Sequence, residues 1–495
     1  MRLFEIHADR PYLGKSLCGA VFTHYARSEM KRWLALGLLL VLALSASAKD
    51  AEEVLFYNTR DEIPLEFRWN LTDIFPTLEA FEGTFAQVEA MLPKVEAYKG
   101  RLAESPEVLA KALETAFDLQ RMYGELVVYA SQWRDTDTRN PDANELYLRT
   151  SGLGARVGQA TAFIDPEISL ISDETLAKFR KSVALQPYDH YLDNLVRLKP
   201  HIRNTEVEQV LATASLVLQA PFNAYSNLTS ADIEWPLVKD ENGEEKRVVP
   251  ALYYSFVGSQ DRRVRKEAAL ALFGTYAKYA NTFAATYNGH VQRDLFLAHN
   301  RNYKTALEMV MNRNDVPVAV VDNLVATVHE NLPLLYRYAA LRKELLDIDE
   351  FHVYDLYVSL VPEGEKKYTY EEGKQLALDF WRQTYGEEYA SVAQRAFDNR
   401  WVDVYASEGK RGGAYSWGTY NSHPYLLLNW GGTMEDVFTL VHEMGHSIHT
   451  YMTNENQPYQ YSDYSLFVAE VASVASEALF LDYMLKRTDD PTQRL

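Results

Sequence analysis

The feature that most constrains the fold is a spacing. From about Pro93 to Arg203 apolar residues recur every three or four positions, as in Leu113, Ala116, Phe117, Leu119 and Met122. That period lays an apolar stripe along one face of successive helices. It returns from Ser259 to Leu345, and polar loops such as "DTRNPDAN" separate the segments. Two stretches break it. "ADIEWPLVKDENGEEKRVVPAL" has short apolar runs on either side of Asn242-Gly243, a hairpin signal whose turn residues can take positive φ. Residues 399–432 set glycine pairs around "PYLLLNW", which predicts a strand or two beside a glycine-rich loop. The expected class is mainly α, with a small β element near the C-terminal end. At the other end, "RWNLTDIFPTLEAFEG" reads as a turn followed by a helix, with Asn70 and Thr72 as candidate caps.

Composition narrows the function classes. The chain has 495 residues, 47% of them hydrophobic, so a large core can form. Its formal charge of -19 repels phosphate backbones, which argues against nucleic acid as a partner. "MKRWLALGLLLVLALSASAKD" opens at Met30 with Lys31 and Arg32, continues through an apolar run from Trp33 to Leu44, and ends in Ala46-Ser47-Ala48. This is the pattern of a secretory signal cleaved near Ala48. The run is too short for an ordinary transmembrane helix, so no stable membrane span is expected after cleavage. The expected location is exported, periplasmic or secreted. The only cysteine, Cys18, precedes the signal, which leaves the mature chain without disulfides or thiolate ligands.

The chemistry concentrates in "VHEMGHSIH", Val441 to His449. His442 and His446 are one helical turn apart on the same face, within reach of one cation. Glu443 between them completes H-E-x-x-H, in which the glutamate is general base to a metal-activated water. Chance supplies the bare pattern in roughly one chain in fifty of this composition, so its surroundings matter. Val437, Val441, Met444, Ile448 and Met452 form an apolar stripe centred roughly 120° from the histidine face. Thr433 is a candidate cap, and Glu435 and Asp436 suit the positive end of the helix dipole. His449 shares the histidine face, but the rise of about 10 Å from residue 442 takes it out of reach of an ion held by His442 and His446. It reads as a wall or hydrogen-bonding residue. Downstream, "SLFVAEVASVASEALFLDYML" is an apolar helix carrying Glu470 and Glu477 on one face. Carboxylates in such a setting need a partner or a metal.

Together with "GKRGGAYSWGTYNSHPYLLLNW", "WNLTDIFP", "YASQWRDTDTRNPDANELY" and "FHVYDLY", these motifs closely resemble oligoendopeptidase F and its thimet-oligopeptidase-like relatives from about Trp69 onward. The resemblance implies a large helical zinc metallopeptidase with a deep substrate channel, holding one Zn2+ per chain and acting on short peptides. It implies His442, His446 and Glu470 as the ligands and Glu443 as the catalytic residue. It also implies that the strand "HPYLLLNW" aligns the substrate by strand addition. Tyr415 and Tyr420 are candidates to line the cleft, and Ser473, Glu477 and His449 to support the ligands from behind. Residues 49–203 then form an N-terminal helical region and residues 204–495 the catalytic region, after an extension and signal over residues 1–48.

Two departures qualify the expectation. Family members usually continue past the equivalent of "KRTDDPTQRL" through helices that hold the substrate and stabilise the oxyanion. The sequence therefore reads as C-terminally shortened, which leaves a catalytically impaired zinc- and peptide-binding fragment as one alternative. The export signal is also unusual for the family. The remaining alternatives are a zinc carboxypeptidase of similar helical build and a helical scaffold with a chance motif.

Overall fold

The computed structural model describes residues 56–250, 253–360 and 366–494. The predicted signal, Met30–Ala48, lies outside them. Helices dominate. The N-terminal region is built from α1 (Leu78–Glu96), α2 (Pro106–Thr136), α3 (Pro141–Thr161) and α4 (Asp189–Leu198). The three-four spacing produces the packing expected of it. Leu109, Leu113, Ala116, Leu119 and Leu126 of α2 are buried in one apolar cluster that runs from Phe75 to Leu195. The cap of α1 differs from expectation. It is Thr77, whose Oγ1 accepts from the Ala80 N–H at 3.2 Å. Pro76 disfavours helical backbone at Phe75, so the helix cannot begin upstream of it. Asn70 and Thr72 instead belong to a single 3-10 turn, where the Thr72 hydroxyl donates to Asn70.

Next come α5 (Arg262–Lys278), α6 (Ala280–Asn300) and α7 (Val318–Leu345). The predicted hairpin precedes them, as β2 (Leu237–Lys239) paired antiparallel with β3 (Glu245–Arg247). Of Asn242 and Gly243 only the glycine takes positive φ, at 83°. The Asp240 carboxylate accepts from the Asn242 and Glu244 N–H groups at 2.9 Å each and closes the turn. β1 (Phe56–Tyr57) lies far upstream and pairs with β5 (Ala406–Ser407).

The C-terminal part has its own apolar cluster, made by α8 (Tyr370–Thr384), α9 (Glu387–Asp398), α10 (Met434–Asn456) and α11 (Leu466–Arg487), and joined by Ile63 from the start of the described chain. Beside α10 stands a three-stranded sheet in the order β4 (Val402–Asp403), β7 (Tyr425–Leu427), β6 (Tyr415–Trp417). This corrects the strand-addition expectation. β7, the core of "HPYLLLNW", is central and fully buried, with a neighbour on each edge. It has no edge left for a peptide; β6 is the sheet's edge on that side.

A buried ion cluster locks this sheet to the start of the chain. Asp403 and Lys410, both inaccessible, pair at 2.8 Å, and Arg60 reaches the same carboxylate at 2.6 Å. The Trp69 N–H also donates to Asp403, and its indole N–H donates to the Leu426 carbonyl at 2.7 Å. Arg60 and Asp403, 343 positions apart in sequence, are thereby held in one structure, and Leu55–Leu495 form one compact unit. Among the described residues no helix is long and apolar enough to cross a membrane.

Candidate metal centre

α10 starts as its sequence dictates. Thr433 Oγ1 accepts from the Asp436 N–H, and the Asp436 carboxylate accepts from the Thr433 N–H at 2.8 Å, a reciprocal cap. Val437, Val441, Met444 and Ile448 are buried, which turns His442 and His446 toward the opposite side. There α11 crosses α10 at close range, and the residue that permits this is Gly445. A Cβ at that position would stand 3.1 Å from the Ala472 carbonyl and 3.2 Å from Ser473 Cα and Ser476 Oγ. A glycine facing two small residues lets the backbones approach and brings the α11 carboxylates to the histidines.

The result is a three-ligand cluster of His442, His446 and Glu470. Glu470 Oε2 lies 3.6 Å from His442 Nε2 and 3.7 Å from His446 Nε2. Ligands at about 2.0–2.1 Å around a tetrahedral zinc stand roughly 3.4 Å from each other, so the donor set and its spacing fit that ion. Supporting groups hold it. Glu477 Oε1 lies 2.6 Å from His442 Nδ1, so the ring donates there and presents Nε2 to the site. The Ser473 hydroxyl donates to Glu470 Oε2 at 2.8 Å and is itself fully buried. Of the three residues expected behind the ligands, Ser473 and Glu477 are in contact with them and His449 is not.

Glu443 is buried beside the cluster. Its carboxyl is raised to about 7: burial raises it most, His442 pulls it down, and Glu470 pushes it up. The Ser416 backbone N–H on edge strand β6 also bonds to it and favours the charged form. Ser416 Oγ meets Ser447 Oγ at 2.8 Å, which ties β6 to the helix that carries the glutamate. From the outside, α2 grips the same strand: the Gln132 amide donates to the Trp417 carbonyl at 2.9 Å.

The remaining candidates sit elsewhere. His449 stacks on Tyr464, with ring centres 4.0 Å apart, and lies outside the ligand cluster. The Tyr415 hydroxyl donates to Asp135 of α2 at 2.9 Å, and Tyr420 donates to the Gln457 carbonyl beyond the end of α10 at 2.8 Å. Neither hydroxyl is presented to the metal ligands. Gly445, Ser416 and Ser447 were not singled out from sequence. The glycine inside an otherwise regular helical pattern was a usable signal of close approach.

Residues 255–494 match the profile of peptidase family M3, and residues 167–235 match that of oligopeptidase F. The oligopeptidase PepF of Bacillus subtilis is 43% identical over 437 residues, covering 88% of this chain and 65% of its own length. The group B oligopeptidase PepB of Streptococcus agalactiae is 34% identical, with 88% and 72% covered. The chain belongs to peptidase family M3. Within the family, oligoendopeptidase-F from Enterococcus faecium superposes with a TM-score of 0.62 at 31% identity, covering 84% of this chain and 68% of that one. The mainly helical build with small sheets is the family's. The chain spans about two thirds of the length of the curated M3 relatives it matches.

Proposed function

We propose that the chain is a zinc-dependent endopeptidase that hydrolyses internal bonds of short peptides. The observation that carries this reading is the convergence of His442, His446 and Glu470 with the buried Glu443 alongside. His442, His446 and Glu470 would hold a zinc ion, which when bound would supply Lewis acidity to the scissile carbonyl and to water. Glu443 accepts the proton of the attacking water and returns it to the leaving amine. A carboxyl raised toward neutrality is matched to both halves of that task. The Ser416 N–H fixes where its oxygens lie, the Ser416–Ser447 hydroxyl pair ties that strand to α10, Glu477 sets the His442 tautomer, and Ser473 orients Glu470. The net charge of -19 fits peptide rather than nucleic-acid substrates. The segment Met30–Ala48 supports export, to be checked by N-terminal sequencing of the mature protein from cell fractions.

The activity is tested by following an internally quenched oligopeptide with wild type and Glu443→Gln. The expected result is internal cleavage by wild type and its loss in the variant, with zinc retained by both. Release of single C-terminal residues would instead favour the carboxypeptidase reading. Zinc bound without turnover in either protein would leave a zinc- and peptide-binding role.

A further inference from the structure

Three consecutive residues of β6 are tied in two directions. Tyr415 and Trp417 are held from the N-terminal region: the Tyr415 hydroxyl donates to Asp135 Oδ2, and the Gln132 amide donates to the Trp417 carbonyl, each at 2.9 Å. Ser416, between them, is held from α10: its N–H bonds to Glu443 and its hydroxyl meets that of Ser447. Gln132 and Asp135 stand three residues apart on α2, and so share a face of it. Both are buried, at 0% and 3% exposure. Asp135 does more than hold Tyr415. The same Oδ2 accepts from the Arg411 guanidinium at 3.0 Å, and the Asp135 carbonyl accepts from the Arg411 N–H at 2.9 Å. The end of α2 is thus fastened both to β6 and to the loop that leads into it.

Packing alone does not call for these two groups. From Leu109 to Ala130 every buried residue of α2 is apolar. Burying an amide is costly unless all its atoms are paired, and Gln132 Oε1 has no partner. An apolar side chain of the same shape would fill the space without that cost, so the bond from its other end, to Trp417, is what the glutamine supplies. We propose that Gln132 and Asp135 are positioning residues for Glu443: by fixing Tyr415 and Trp417 they place the Ser416 N–H, and that N–H places the Glu443 carboxylate. This rests on the reading of Glu443 as general base. β7 pairs with the same three residues, so the strand stays in its sheet without α2; what α2 adds is its placement relative to α10. A hydrogen bond weakens steeply off its axis, so a shifted N–H takes the carboxylate oxygen with it or releases it. A misplacement of about 1 Å at a reacting group can cost about a hundredfold in rate. The N-terminal helical region is thereby part of the working site, although it supplies none of the three ligands.

The test uses Gln132→Met, which keeps the length of the side chain and removes its donor, and Tyr415→Phe, which removes the hydroxyl that meets Asp135. Amide hydrogen exchange of the metal-free chain reports the placement of β6 without zinc or turnover. The expected result is exchange at Ser416 about tenfold faster in each variant. The Leu426 amide of β7, which donates to the Trp401 carbonyl, should keep its wild-type rate. In the zinc-loaded protein, kcat on the internally quenched oligopeptide should fall about 10- to 100-fold, with KM and zinc content unchanged. Unchanged exchange at Ser416 in either variant would overturn the proposal. So would equal acceleration at Ser416 and Leu426, because the contacts would then only support the fold. Faster exchange at Ser416 with kcat intact, or a loss carried by KM, would also overturn it. A wild type that binds zinc and does not cleave contradicts the general-base reading alone, and the exchange comparison still decides whether α2 places Ser416.

Discussion

His442 Nδ1 and Glu477 Oε1 are 2.6 Å apart, across the crossing of α10 and α11. The carboxylate fixes the imidazole tautomer and leaves Nε2 free for a metal. Glu477→Ala should lower zinc affinity about 10- to 100-fold with little change in fold. Competition with a chelator of known affinity, alongside the far-UV spectrum, measures both.

Gly445 sets how closely those helices approach. Gly445→Val should cost about 1–3 kcal/mol through overpacking against Ser473 and Ser476. It should also loosen zinc, because Glu470 moves with α11. Urea unfolding of the metal-free protein gives the first effect and chelator competition the second. A stability loss with unchanged zinc affinity would mean that the crossing does not set the ligand spacing.

Asp403 makes the fold acid-sensitive. Burial raises its carboxyl, but Lys410 and then Arg60 outweigh this and hold it well below the ordinary carboxylate range. A depressed folded value contributes stability that is full above the unfolded value of about 3.9 and is lost as pH falls below it. Asp403→Asn leaves buried Lys410 without its carboxylate partner, at a cost of about 3–5 kcal/mol near neutrality. The gap between wild type and variant, followed by urea unfolding, should narrow below about pH 4.

Glu443 should act in the opposite direction in the metal-free protein. Its folded value of about 7 lies above the ordinary value of 4.5, so the folded state binds the proton more tightly. Its contribution favours folding at low pH and is lost as pH rises from 4.5 through 7. Glu443→Gln removes that dependence. Metal-free unfolding curves at pH 5 and pH 8 should therefore differ less for the variant than for wild type, once both are corrected by their common background.

Much of this was legible from local pattern. The three-four spacing gave the helices, and Thr433, Val437, Val441, Met444 and Ile448 oriented α10 correctly because capping and amphipathicity act within a few turns. Glu470 and Glu477 stood out as carboxylates in an apolar helix, though spacing alone did not assign their roles. What escaped depends on contacts distant in sequence. The partner of Tyr415 is Asp135, 280 residues away, and no local signal reports it. The central position of β7 follows from pairing with β4 and β6, which a run such as "PYLLLNW" cannot reveal. The cap falls at Thr77 because Pro76 keeps Phe75 out of helical backbone, an effect that outweighs the capping chemistry of Asn70 and Thr72 upstream.

The central claim is that the α10–α11 crossing builds one zinc site from His442, His446 and Glu470. Metal analysis of the purified chain and of Glu470→Ala, after equilibration with limiting free zinc, tests it most directly. The account predicts one zinc per chain in wild type and a loss of at least tenfold in affinity in the variant. Wild type without stoichiometric zinc, or a variant that retains it with equal affinity, would contradict it.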